Sequence, residues 1–241
     1  MIILFIAFLL AAITLIFSSY TDVRKRTINS FIFIPLVAVA AINYAYTGQG
    51  YSFIAIGLLF FAGTFIRTDL YIYPVFGIVM LFASIFTLLH NPIFLATSVI
   101  IFIIYEMGFM ERFFGIGDIK AMIALFFSFV QFPIIWAFTA KQSFILQILP
   151  LSFAMLINIA LVSLYLPVYM IILNLRKGNG IGVTSLFGMR YDESVYAVNQ
   201  KRYSIRGENN SRIMIYRSPF MVPITIGFFI TVIFGFWMIY A

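Results

Sequence analysis

Acidic side chains are scarce in this sequence, so each can be weighed as a chemical group. Of 241 residues, eight are Asp or Glu: Asp22, Asp69, Glu106, Glu111, Asp118, Asp192, Glu193 and Glu208. No cysteine occurs, which excludes disulfides, thiolate metal sites and cysteine nucleophiles. The one histidine, His90, stands in a His-Asn-Pro sequence and reads as a polar turn residue. Hydrolytic chemistry would then fall to carboxyl groups, and a carboxyl pair needs neither metal nor cofactor. One ionised Asp activates a water while a protonated one polarises the attacked carbonyl. Two carboxyls that close together cannot both ionise, so they share a proton and titrate as a pair.

Two of the eight have neighbours that suit such a role. Asp22 closes the first apolar block and begins Asp22-Val23-Arg24-Lys25-Arg26-Thr27-Ile28-Asn29. Asp118 ends Gly115-Ile116-Gly117-Asp118 and opens the sixth block, with Ile119 and Lys120 following. The glycines remove side-chain bulk and allow positive φ, so a second backbone can approach the Asp. An Asp at a helix start is also an ordinary cap, and a four-residue string of this kind recurs by chance. Its force here comes from lying on the same membrane face as Asp22. Asp69 also ends an apolar block on that side, but no glycine precedes it, and it ranks third. Glu106 and Glu111 read as boundary anchors, and Asp192, Glu193 and Glu208 as solvated loop residues.

The elements that must position these groups are membrane helices. Hydrophobic residues make up 63% of the chain and charged residues 10%, with thirty Phe, against roughly 25% charged in a soluble domain. The apolar residues form eight blocks, at about 2–20, 30–46, 51–67, 70–89, 92–110, 119–138, 143–174 and 219–240. Their lengths suit spanning helices, which satisfy their own backbone hydrogen bonds. Runs such as Phe53-Ile54-Ala55-Ile56 do not alternate as barrel strands would. The seventh block is long and carries Pro150 and Pro167, which predicts a kinked or tilted helix. The first block lacks a basic residue before its apolar run and is read as a retained helix rather than a signal peptide.

Basic residues set the orientation. If 22–29 faces the cytoplasm, then fourteen of the 15 Lys and Arg fall on that side and only Lys141 lies outside. The positive-inside rule then places both termini outside, in the plasma membrane. It also accounts for the net charge of +7 without nucleic acid, because basic loops beside anionic lipid suffice. The expected fold is an all-α polytopic membrane protein of about eight transmembrane helices with a small cytoplasmic, partly β loop region. Residues 1–174 form the membrane domain carrying both motif aspartates, 175–218 a basic cytoplasmic loop, and 219–241 a final helix. Within the loop, the glycine-rich tract 177–182 lacks the spacing of a phosphate-binding fingerprint and reads as a flexible exit from the membrane. Tyr203-Ser204-Ile205 and Ile213-Met214-Ile215-Tyr216 flank a turn-forming cluster at 207–211 and predict a hairpin.

Together these motifs resemble the prepilin and preflagellin peptidases, membrane aspartic proteases with one Asp after the first helix and another in Gly-x-Gly-Asp. Asp22 matches the first, and Arg24, Arg26, Ile28 and Asn29 resemble the usual continuation. Gly115, Gly117, Asp118 and Lys120 match the second. The basic loop before a last span entered through Ser218-Pro219-Phe220-Met221-Val222-Pro223 looks like the archaeal branch. The middle departs from the pattern: residues about 51–110 hold three spans, as an inserted helical pair would give. The resemblance implies Asp22 and Asp118 as catalytic residues, no cofactor and no metal. The implied partners are membrane lipid and precursor proteins with a short basic leader, a Gly near the cut and an apolar helix after it. Bacterial relatives also methylate the new N-terminus and often carry a cysteine-rich domain; the lack of that domain implies peptidase activity alone.

Two other readings compete. Presenilin and signal-peptide-peptidase enzymes share Gly-x-Gly-Asp but pair it with Tyr-Asp inside a span and a Pro-Ala-Leu; here Thr21 precedes Asp22 and no Pro-Ala-Leu exists. A non-enzymatic transporter or assembly protein would place ionisable groups near the bilayer middle, whereas nearly all of them lie at block ends.

Overall fold

In the computed structural model the described residues are 2–48, 50–66, 70–109, 115–130, 149–177, 186, 188–193, 196, 203–206, 213–216 and 219–235. The helices are α1 (Ile2–Lys25), α2 (Ile34–Thr47), α3 (Tyr51–Gly63), α4 (Ile72–Leu88), α5 (Pro92–Phe109), α6 (Ile116–Ser128), α7 (Leu151–Ser163), α8 (Tyr165–Arg176) and α9 (Met221–Phe234), with a short 3-10 turn at Ser30–Phe33 before α2. Each of the eight apolar blocks contains helix. Among the described residues four stretches are long and apolar enough to cross a membrane: Ile2–Lys25, Ser30–Thr47, Pro92–Phe109 and Leu151–Arg176. The chain is therefore a mainly helical protein of membrane character with a small sheet. Its apolar surface agrees: Phe5, Ile13, Phe17, Val79, Phe82 and Phe86 are all exposed, as lipid-facing side chains are.

α6 is the central element. Every residue from Asp118 to Ser128 is buried, and the helix touches α1, α2, α3, α5, α7 and α9. A helix apolar on all sides is a core helix, and its surroundings are aromatic. Phe53 stacks on Phe94 with centroids 4.6 Å apart. Tyr44 of α2 donates its hydroxyl to the Phe127 carbonyl at 2.9 Å, so its polar end is satisfied.

The seventh block resolves differently from its expectation. Pro150 precedes the helix as its N-cap instead of kinking it. Pro167 does interrupt it, because α7 ends at Ser163, four residues earlier, and α8 begins at Tyr165. Proline offers no N–H to a carbonyl four residues back and its ring crowds that carbonyl. The expected turn at His90 holds: α4 ends at Leu88 and α5 begins at Pro92, with Asn91 Oδ1 accepting from the Phe94 N–H at 3.4 Å.

The expected hairpin is present as β2 (Tyr203–Arg206) and β3 (Ile213–Tyr216), antiparallel with Tyr203 opposite Tyr216. A third strand, β1 (Gly188–Arg190), pairs with the other edge of β3 and was not expected. The sheet docks on α8 through Met170, Met189 and Met214. Asn174 Nδ2 fastens it there by donating to the Gly188 carbonyl at 2.8 Å. Asp69, Glu111, Glu208, Lys141, the tract at 178–182 and the turn at 207–211 lie outside the described residues.

Candidate functional site

Asp22 belongs to the last turn of α1, on the stripe of Ala7, Ala11, Thr14, Leu15, Ser18 and Asp22 that this helix buries. These positions recur three and four apart, which puts them on one face. The helix then ends sharply. Arg26 donates its N–H to the Asp22 carbonyl at 3.0 Å and adopts φ 57, a left-handed conformation that costs a residue with a side chain about 1–2 kcal/mol. Glycine would relieve that cost, but it would lack the guanidinium whose charge acts on Asp22. Arg24 is exposed and lies over the Tyr20 ring at 4.9 Å, away from the aspartates.

Asp118 is the third residue of α6. Its amide donates to the Gly115 carbonyl at 3.0 Å, and its Oδ2 accepts from the Gly115 N–H at 3.1 Å, the backward half of a capping box. Capping therefore uses one carboxyl oxygen. The other, Oδ1, is buried with no partner among the described residues, and a buried polar atom in that state calls for an explanation.

The two aspartates come together. α1 touches α6, both carboxyls belong to residues only 7% exposed, and the charge of Asp22 bears on Asp118. Asp118 stands one residue before the apolar run that starts at Ile119. Burial, and after it the charge of Asp22, push its carboxyl up to about 7, against a smaller opposing effect of the Gly115 hydrogen bond. Burial also raises the Asp22 carboxyl, opposed by the Met221 N–H and the Arg26 charge; Asp118, pushed up to about 7, is the member of the pair that holds the proton.

The glycines work by absence of bulk alone. Neither Gly115 nor Gly117 has a positive φ; Gly115 is extended at φ −70 and ψ 150. The expectation that they exploit left-handed backbone is therefore corrected. A Cβ on Gly117 would meet Ile28 Cβ at 3.1 Å and Cδ1 at 3.2 Å, while one on Gly115 would meet only Asp118 Oδ2, at 3.3 Å. Ile28 is thus the residue that approaches the motif. Asn29 caps the following 3-10 turn, its Oδ1 accepting from the Phe31 N–H at 3.2 Å.

Lys120 lies outside this arrangement. It is buried, and its Nζ sits 3.7 Å from the centre of the Phe65 ring. Being two residues beyond Asp118, it faces the other side of α6. Glu106, read as a boundary anchor, instead has a buried Oε1 without a partner among the described residues, against Gly77 of α4 and near the stacked Tyr73 and Tyr105 rings.

Sequence reasoning missed the contribution of α9. The Met221 N–H, at its first residue, donates to Asp22 Oδ2 at 3.3 Å. Ser19 and Thr225 hold the two helices together there, with Oγ and Oγ1 2.7 Å apart. These pairs are about two hundred positions apart in sequence, so no local pattern announces them.

Among the described residues no group of three or more His, Cys, Asp or Glu could hold a metal ion. No protein-family model matches the chain, and no curated protein matches it.

Proposed function

We propose that the chain is a membrane aspartic endopeptidase acting at the cytoplasmic membrane face. It would remove the short basic leader of precursors of the prepilin and preflagellin kind. The observation that carries this reading is the pairing of Asp22 and Asp118 from two packed helices, both buried, with the charge of one acting on the other. Gly-x-Gly-Asp and the Asp22–Asn29 segment supply the resemblance, and Ile28 against Gly117 gives the two motifs a physical reason to occur together.

The chemistry follows from the unequal pair. Asp22 as carboxylate takes a proton from water as the water oxygen bonds to the scissile carbonyl carbon. Asp118 gives its proton to the carbonyl oxygen. The tetrahedral adduct then collapses: its C–N bond breaks, the amine nitrogen takes the proton held by Asp22, and Asp118 recovers its own from the adduct hydroxyl. Atoms and charges balance with water as the only co-reactant. A substrate whose apolar helix lies in lipid beside the enzyme would present its leader junction at this depth. The surrounding surface is basic, so recognition of a basic leader would rest on lipid partitioning and local shape instead of charge attraction.

The test is incubation of membranes containing the protein with a panel of leader-bearing precursors. Cleavage at the leader junction is expected for the wild type and its loss for Asp22→Asn and Asp118→Asn, both inserted normally. Substantial cleavage by either mutant would remove that residue from the catalytic pair, and absence of cleavage of every precursor by the wild type would overturn the reading.

A further inference from the structure

Asp22 is held by a helix from the far end of the chain, and the attachment is built from hydroxyl groups. Ser19 Oγ lies 3.0 Å from the Met221 carbonyl and 2.7 Å from Thr225 Oγ1. Thr225 Oγ1 in turn lies 2.8 Å from the Met221 carbonyl and 3.3 Å from the Leu15 carbonyl. Each hydroxyl has one proton. Either Ser19 donates to Thr225, which donates to one of the two carbonyls, or Thr225 donates to Ser19, which donates to the Met221 carbonyl. Either way the hydroxyls link α1 to α9 three residues before Asp22, about one helical turn. In apolar surroundings these groups have few alternative partners, so the bond is a register lock.

The lock sits where it matters for Asp22. Met221 is the first residue of α9, so its N–H has no partner within the helix. It points at Asp22 Oδ2, 3.3 Å away. A backbone N–H aimed at a carboxylate favours the ionised form, and the positive end of the helix dipole adds to this. Asp118 likewise has one N–H on one oxygen, but its other oxygen, Oδ1, is buried with no partner among the described residues. Among the described residues the other charged groups facing Asp22 are Arg26, just past the end of its own helix, and Asp118 on α6; α2 and α9 carry no charged residue.

We propose that Ser19 and Thr225 are positioning residues for Asp22. By clamping the start of α9 to α1 they hold the Met221 N–H against the carboxylate, which offsets part of the burial of Asp22 and favours the ionised form a water-activating base needs. The inference rests on the peptidase reading for its consequence, but its physical content, control of Asp22 by the clamp, is measurable without cleavage.

The experiment uses the full chain in detergent or lipid, with Thr225→Val, which keeps the side-chain shape, Ser19→Ala, and Thr225→Ser, which keeps the hydroxyl. Infrared titration reads the carboxylate band of Asp22, assigned as the band missing in Asp22→Asn. In Thr225→Val and Ser19→Ala its midpoint is expected to move to higher pH by about one unit, corresponding to about tenfold in the ionisation equilibrium. Thr225→Ser should stay close to wild type. In the cleavage assay kcat of Thr225→Val should fall about tenfold at the acid side of the profile, with KM unchanged and the acid limb displaced to higher pH. An unmoved Asp22 band in folded Thr225→Val and Ser19→Ala overturns the clamp, whatever the activity. A moved band in a wild-type background that cleaves no precursor overturns the peptidase reading and leaves the clamp standing. If Thr225→Val does not fold, Ser19→Ala decides on the same two readouts.

Discussion

Ile28 and Gly117 lie so close that a Cβ on the glycine would sit 3.1 Å from the Ile28 Cβ. That single contact joins the segment after Asp22 to the motif before Asp118. A Cβ there already presses on Ile28, and Gly117→Val adds two methyl groups beyond it, so the two segments are expected to part. Displacement near 1 Å in a catalytic arrangement costs about a hundredfold in rate. Cleavage per folded molecule should therefore fall by roughly that factor in Gly117→Val, with a partial return when Ile28→Ala is added. Gly115→Ala should also be impaired, through its contact with the Asp118 carboxyl. Near-wild-type turnover of folded Gly117→Val would sink the close-approach account.

A structural counterpart lies at the other end of α9. Asn158 of α7 donates to Thr231 Oγ1 at 2.9 Å and to the Gly235 carbonyl at 3.2 Å. Asn158→Ala removes both bonds. Interhelical hydrogen bonds in membrane proteins contribute on the order of 0.6–2 kcal/mol, so the variant should unfold at lower temperature. Far from the aspartates, it should keep its cleavage rate per folded molecule. A wild-type melting curve would show that these bonds contribute nothing net.

The helical segments were legible because apolar blocks and their Gly, Pro and Asn punctuation are local properties. Asn91-Pro92 starts α5 and Pro167 divides α7 from α8, as proline chemistry dictates. The hairpin was legible from period-two residues around a turn, whereas β1 was not. Three residues, Gly188 to Arg190, carry too little pattern and become a strand only because β3 offers an edge. The aspartates could be picked from sequence because charge is rare in this chain. Their supports could not. Ile28 against Gly117, Ser19 against Thr225 and the Met221 N–H on Asp22 are contacts between distant positions. The glycines show the same limit: sequence suggested permissive φ, while the folded chain uses only their lack of a side chain.

Orientation can be checked with single cysteines, since the native chain has none. His90 in the α4–α5 turn and Glu193 in the loop region are both exposed. The basic asymmetry puts His90 outside and Glu193 inside. In intact cells an impermeant thiol reagent should label His90→Cys and leave Glu193→Cys unlabelled until the cells are opened. The reverse pattern would overturn the cytoplasmic site together with the topology.

The pH dependence of cleavage follows from the unequal pair. Asp118 must be protonated to assist the carbonyl, and its carboxyl is pushed up to about 7 by burial and by the charge of Asp22. Activity should therefore fall as pH rises through about 7, while the acid limb reports protonation of Asp22. Stability carries a sign from the same group. A carboxyl with a folded value above its unfolded value of 3.8 binds its proton more tightly when folded. The folded state is then favoured at low pH, and this contribution is lost as pH rises from about 4 to 7. In Asp118→Asn, which cannot ionise, that part of the decline should vanish. Thermal midpoints of wild type and Asp118→Asn recorded at pH 5 and 8 measure it: the wild type should lose more on going to pH 8. Equal losses would mean that Asp118 ionises as readily folded as unfolded, and that the pair does not share a proton.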